Sequence, residues 1–471
     1  MPDQRTICLL NDSFPPLIDG VANAVVNYAK NIEAHYGHAV VATPSVPGAV
    51  DSGYDFPVLR FPSIDTRKLL GYVAGYPFSP ETARRLQDEH TTLLHTHCPI
   101  SSTLLARSLR EVLDTPLVLT YHTKFDIDIK KAIKNKLLQE SAIKALVENV
   151  SACDEVWVVS EGAGQNLRSL GYEGDYLVME NGVDVPRGKA SDEAIRDAVK
   201  GYDLPDDVPV FLFVGRMMWY KGLRIILDAL AALKEKNADF RMVFIGDGAD
   251  GKEVRAYASE RKLDDVCVFT GALSDREAIR AWYSRADLFL FPSTFDTNGL
   301  VVREAAAGGT ATVMIAGSCA AEGVTDGQNG FFIEENAESL AAKLTELCAA
   351  PETMKRVGEN AEQQLYLSWE DAVARACKRY EVVIDNYRSG RYQKHKKPMD
   401  GFFRSQGELM DAFALIEARG DEMLDGLEAG GEELFARFRA GQDELRSRIQ
   451  EERGKAEERL DNWWRRMDRY L

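Results

Sequence analysis

Short apolar runs alternating with amphipathic helical stretches constrain this chain more than any other feature. Ile7–Leu10, Ala39–Ala42, Leu93–His97, Leu117–Tyr121, Glu155–Ser160 and Tyr176–Met179 form one series. Val208–Val214, Met242–Gly246, Val266–Phe269, Leu288–Phe291, Thr312–Ile315 and Gly330–Ile333 form a second. Helical patterns such as Leu223–Glu235 and Asp275–Ser284 lie between the runs, and Glu338–Ala349 and Tyr366–Tyr387 follow them. A strand covered on both faces by crossover helices reads as a continuous apolar run, so the pattern predicts parallel sheets with right-handed connections. The cycle breaks across 184–207, a stretch with Lys, Asp, Gly and Pro that reads as a linker.

The expected fold class is therefore α/β: two Rossmann-like doubly wound domains facing across a cleft, plus a helical C-terminal tail. The expected boundaries are 1–184, a linker over 185–207, 208–388, and the tail over 389–471. In such sheets, ligands meet the loops at the carboxyl ends of the strands. The length of 471 residues fits more than one domain at roughly 150 residues each. In the tail, apolar residues recur from Leu409 to Met467 at three-and-four spacing, interrupted by glycines. Such a seam would suit an intramolecular hairpin, a coiled coil in a homodimer, or a membrane-contacting face.

Charge narrows the partners. Lys and Arg number 57 against 74 Asp and Glu, a net −17, which opposes non-specific coating of nucleic acid. The N-terminal apolar run is too short for a signal peptide and no run approaches a membrane span. The seven scattered cysteines have no Cys-x-x-Cys spacing, as expected of a reduced cytoplasmic protein without a structural zinc site.

Two segments of the second half carry chemistry. Gly215-Arg216 and Lys221 follow a strand, placing a planar fork and a point charge where they could clamp a diphosphate. The same two residues would also serve as solvated loop cations. Pro292-Ser293-Thr294-Phe295-Asp296-Thr297-Asn298-Gly299-Leu300 passes from strand end to helix start, where backbone amides bind phosphate. Asp296 and Glu304 flank seven residues; they could hold sugar and ribose hydroxyls, or act only as partners of the helix dipole.

Together these segments resemble the nucleotide-sugar site of the family 4 glycosyltransferases of GT-B fold, whose pattern is Gly-Arg-x4-Lys followed by Glu-x7-Glu. Asp296 stands where the family has its first Glu, which shortens the reach to the donor hexose. Asn181-Gly182-Val183-Asp184, Ala286-Asp287-Leu288 and Asp326-Gly327-x-Asn329-Gly330 stand where the resemblance expects them. It covers roughly residues 5–388. It implies that Arg216 and Lys221 neutralise the departing diphosphate, that Asp296 faces the hexose, and that Glu304 binds the ribose. The amides of Asn298, Gly299 and Leu300 would hold the sugar-phosphate. It also implies retention of anomeric configuration and no metal or other cofactor.

The first half should bring the acceptor. Asn11–Val21 resembles the family's glycine-containing loop, with Gly20 alone where a Gly-Gly pair is usual. Leu94-His95-Thr96-His97 places two imidazoles on one strand face, a pattern that could read as a metal pair but lacks a third ligand. Tyr121-His122-Thr123 resembles the element beside the reacting carbon, so His122 and Thr123 are the residues expected to position the acceptor. After them, Lys124, Lys130, Lys131, Lys134 and Lys136 interleave with Ile and Phe. Such a segment suits an anionic membrane, as Trp463 and Trp464 with their neighbouring arginines would, although an exposed amphipathic helix has the same pattern. The combination resembles bacterial diacylglycerol glucosyltransferases. It implies glucose transfer from UDP-glucose to a membrane lipid by an enzyme peripheral to the inner face of the cell membrane. A soluble sugar or polyol acceptor, or an inactive scaffold recruiting partners through the tail, are the alternatives.

Overall fold

The computed structural model describes residues 5–17, 19–64, 73–76, 78–133 and 135–392. The expectations for the tail, for Lys134 and for Trp463 and Trp464 lie outside them. So does the homodimer seam.

The first sheet holds β1 (Thr6–Leu10), β2 (His38–Pro44), β3 (Val58–Phe61), β6 (Leu93–Thr96), β7 (Leu117–Tyr121), β8 (Glu155–Val158) and β9 (Leu177–Val178). Its strand order is β3-β2-β1-β6-β7-β8-β9, all parallel. A two-stranded antiparallel pair, β4 (Ser63–Ile64) and β5 (Ala74–Gly75), stands beside it. The second sheet is also parallel. It comprises β10 (Val210–Val214), β11 (Arg241–Ile245), β12 (Cys267–Gly271), β13 (Leu288–Phe291), β14 (Ala311–Ile315) and β15 (Phe331–Ile333), in the order β12-β11-β10-β13-β14-β15. Each reversal of strand order at β1/β6 and β10/β13 opens a crevice at the carboxyl ends of the strands.

Alternation explains why β1 is apolar throughout. Cys8 and Leu10 join one core with Leu105 and Leu109, whereas Ile7 and Leu9 join the opposite core with Val25 and Tyr28. Both faces are buried, so neither needs a polar residue.

Two expectations about boundaries require correction. Its place in the sequence puts the helix Trp369–Arg388 in the second half. It crosses back and buries Ala372, Val373, Ala376 and Tyr380 against the first sheet, beside the helix Gly20–His35. Its apolar stripe joins the core of that helix, and chain order does not dictate which sheet a stripe covers. The expected linker contains the helix Asp192–Ala198, capped by Ser191 and acidic in its first turn, which packs against the helix Arg276–Arg285 of the second half. The edge strand β3 was not anticipated. Its Val-Leu-Arg-Phe is short and only half-buried along one side, a weak pattern.

Candidate active site

A cavity of about 630 Å³ lies between the two sheets. The segments lining it follow β1, β6, β7, β8, β10 and β13, so strand ends from both halves converge there.

On the second-half wall, β10 runs into Gly215 and Arg216, and a single 3₁₀ turn, Trp219–Lys221, brings Lys221 back under the strand ends. Gly222 closes that turn with φ +78°, and a Cβ there would run into the carbonyl oxygen of Pro292. Only glycine lets the Lys221 turn press against the end of β13. The Lys221 ammonium, 11% exposed, pairs with Asp296, whose other oxygen accepts from Ser293 Oγ at 2.7 Å. Arg216 is exposed, and its side chain has neither ion-pair nor hydrogen-bond partner among the described residues. One cation is thus held in place and the other is free to swing onto a ligand.

Beyond Asp296, the helix Leu300–Ala307 starts at Gly299, which has φ +57° and packs so closely on Ala320 that a Cβ would sit 2.8 Å from its Cα. That helix start has no side-chain cap and no acidic residue in its first turn. The amides of its first turn therefore face the cavity without an internal anion, which favours an anionic ligand. Asn298 lines the same wall, and its Nδ2 is buried without a partner among the described residues.

Glu304 does not line the cavity. It is half-buried behind the helix start, where its Oε2 accepts from Tyr283 OH at 3.1 Å and Arg276 lies 3.9 Å from its Oε1. Burial raises its carboxyl pKa; the Tyr283 hydroxyl and Arg276 pull the other way. Arg276 also reaches Asp184 at 3.5 Å, and Asp184 accepts from Asn23 of the first half at 2.9 Å. The ribose-binding expectation therefore falls on a residue already linked to the joint between the halves.

On the first-half wall, Gly20, His122 and Thr123 line the cavity, and a Cβ on Gly20 would meet no protein atom within 4 Å. His122 is buried. Its Nε2 lies 2.9 Å from Nδ1 of His97, the rings stack with centroids 5.2 Å apart, and its Nδ1 lies 3.5 Å from Asn181 Nδ2. Burial lowers its pKa to about 3, so the ring is neutral at physiological pH. His95 binds Tyr380 OH at 2.6 Å and Thr120 Oγ1 at 2.7 Å. Three of the four ring nitrogens of the His-x-His pair thus meet protein partners, His97 Nε2 has none among the described residues, and no group of three His, Cys, Asp or Glu among the described residues is arranged for a metal. Asp12, on the loop after β1, is tied by its carboxylate to the amides of Ser101 and Ser102 at 3.0 and 2.7 Å and to Cys98 Sγ at 3.1 Å. It holds that loop against the next crossover helix.

Lys124 was grouped with the membrane-facing lysines, and the structure corrects this. Its side chain lines the cavity and donates across the cleft to the carbonyl of Thr294 at 3.4 Å. Lys130 is exposed and pairs with Asp126 at 2.8 Å, and Lys136 is exposed at the start of the helix Lys136–Ser151 beside Leu137, 73% exposed. Sequence reading missed the contacts that tie the two walls. Thr297 Oγ1 donates to the carbonyl of His122 at 2.7 Å, and Ser160 Oγ donates to the carbonyl of Thr297. The Glu322 carboxylate accepts from the amides of Glu161 and Gly162, both at 2.6 Å. These pairs are separated by more than a hundred residues, and no local pattern marks them.

Two parallel sheets with a cationic loop and an open helix start facing a polar wall form a cleft suited to an anionic ligand between two halves. Comparison with known proteins specifies it. Residues 18–187 match Glycosyltransferase Family 4 and residues 195–364 match Glycosyl transferases group 1. The chain belongs to the family 4 glycosyltransferases of GT-B fold. It is 25% identical over 315 residues to an alpha-monoglucosyldiacylglycerol synthase of Streptococcus pneumoniae, covering 65% of this chain and 70% of that protein. It is 24% identical over 391 residues to the enzyme of that name from Acholeplasma laidlawii, covering 80% and 97%. The fold matches Anabaena HepE, solved in complex with UDP, with TM-score 0.65 and 18% identity over 80% of this chain and all of that one.

Proposed function

We propose that this glycosyltransferase moves glucose from UDP-glucose to diacylglycerol or a related lipid held in an anionic bilayer, with retention and without a metal. It would work as a peripheral enzyme on the cytoplasmic face of the membrane. The observation that carries the reading is the facing of two unlike walls. Arg216, Lys221 and the Asn298–Leu300 amides stand on one, and Gly20, His122 and Thr123 on the other.

In this reading the bond between the anomeric carbon and the diphosphate oxygen breaks, and the acceptor oxygen bonds to that carbon on the same face. The acceptor proton goes to the departing phosphate oxygen. His122, with both ring nitrogens engaged and a pKa near 3, is too weak a base to take it at neutral pH. Negative charge grows on the leaving oxygen, where preorganised cations and amides stabilise it most. Asp296 keeps Lys221 aimed and would receive a hexose hydroxyl; Glu304 would reach the ribose if Tyr283 yields. The two named relatives are diacylglycerol glucosyltransferases, and the neighbour solved with UDP has the same fold; these support the lipid and the donor. Exposed Leu137 beside Lys130 and Lys136 supports contact with a bilayer.

The test is UDP release from UDP-glucose by the purified full chain, with and without anionic vesicles containing diacylglycerol. Release that depends on those vesicles, with glucose recovered in lipid, is expected. Equal release with a soluble sugar or polyol and no glucolipid would overturn the lipid acceptor.

A further inference from the structure

Two helix starts meet the cleft from opposite walls, and they are finished in opposite ways. The helix Leu300–Ala307 of the second half opens without a side-chain cap and without an acidic residue in its first turn. The helix Gly20–His35 of the first half opens with Asp19 as its N-cap, and Asp19 lines the cavity. Its Oδ1 accepts from the amides of Val21 and Ala22 at 2.8 and 2.7 Å. Those amides are the groups that an external anion uses at a helix start. Here a carboxylate of the chain already engages them, and the two hydrogen bonds hold it in one orientation. Asp19 is exposed, and its Oδ2 has no hydrogen-bond or ion-pair partner among the described residues.

From this contrast we infer that Asp19 is a specificity-determining residue that keeps phosphorylated acceptors off the first-half wall and confines that wall to uncharged alcohols. A phosphate arriving at the start of Gly20–His35 loses the two amides and meets a like charge that no ion pair offsets. Repulsion of this kind is an effective way to reject a wrong ligand. Lys124, the one cation among the described residues lining this wall, already donates to the carbonyl of Thr294 at 3.4 Å. Asn181 Oδ1, buried and without a partner among the described residues, is a second acceptor atom in the same cavity. Acceptor atoms suit the hydroxyl of an alcohol and offer nothing to an anion. The opposite wall carries Arg216, Lys221 and the open helix start, so the two walls divide the substrates by charge. The inference deepens the proposed transfer and rests on that reading for the role of the first wall.

Two variants separate the charge from the amides. Asp19→Asn keeps a side-chain oxygen for Val21 and Ala22 and removes the charge; Asp19→Gly removes both and frees the amides. Calorimetry of the full chain at saturating UDP, which occupies the second-half wall, reads the binding of glycerol 3-phosphate. The wild type should bind it weakest, Asp19→Asn roughly tenfold tighter, and Asp19→Gly tighter again. Equal affinity in the three proteins, whether strong or absent, would overturn the inference. The vesicle assay supplies a second readout. Glycerol 3-phosphate should inhibit glucose transfer to diacylglycerol in both variants at roughly a tenth of the concentration that the wild type needs. Inhibition of the wild type at the same concentration would refute the role of Asp19. A wild type that moves no glucose to lipid would count against the proposed function. The binding comparison needs no transfer and would still decide what the Asp19 charge excludes.

Discussion

Three buried neutral histidines, two of them at the cleft, predict a stability that falls steeply with acid. His95, His97 and His122 all have pKa values lowered by burial from the ordinary 6.5, His122 to about 3. A group with a depressed folded pKa binds protons in the unfolded chain first. Its contribution is therefore complete above pH 6.5 and is lost as pH falls through the window down to about 3. For His122 the loss between pH 8 and pH 5 is 2.303RT times the unfolded chain's excess protonation integrated over that interval, roughly 1.5 pH units, or about 2 kcal/mol. His95 and His97 act in the same direction. The raised carboxyls of Asp12 and Glu304 oppose them, because an acid with a raised folded pKa stabilises as pH falls. A paired measurement isolates the histidine: urea unfolding of the wild type and of His122→Asn, each at pH 8 and pH 5. The wild type should lose about 2 kcal/mol more than the variant over that interval. Parallel losses would refute the assignment of a buried, neutral His122.

Two further outcomes test how the site is built. Gly222→Ala forces a side chain into the carbonyl of Pro292 at φ +78°, and should cost about 2–3 kcal/mol in urea unfolding and weaken UDP binding; an unchanged midpoint would mean that the Lys221 turn does not depend on that contact. Glu322→Ala removes the carboxylate that holds two amides of the helix Glu161–Ser169 across the cleft. Solution scattering should show a larger radius of gyration without donor, and donor KM should rise roughly fivefold, the size expected for a charge-assisted bond; neither change would mean that other contacts hold the halves together.

Much of the second-half wall was legible because its function is local. Gly215, Arg216 and Lys221 fall within one loop, and Asp296 through Leu300 within another, so residue type and spacing alone place cations and free amides at strand ends. Glu304 was legible as a motif but not as a position, since its place behind the helix start depends on Tyr283 and Arg276 arriving from another helix. Lys124 shows the opposite failure. Its neighbours made it look like one of a surface series, but the strand end that precedes it points into the cleft.

By itself the sequence determined the two parallel sheets, because an apolar run of strand length can be buried only when both faces are covered. Only the tertiary structure decided that Trp369–Arg388 returns to the first sheet. The same holds for the stacking of His97 on His122 and for the meeting of Thr297 and Glu322 with the opposite half. The physical reason is the range of the forces that encode each feature. Hydrophobic periodicity and backbone sterics act between residues a few positions apart and leave a periodic trace. Hydrogen bonds across the cleft join residues whose separation along the chain carries no energy of its own.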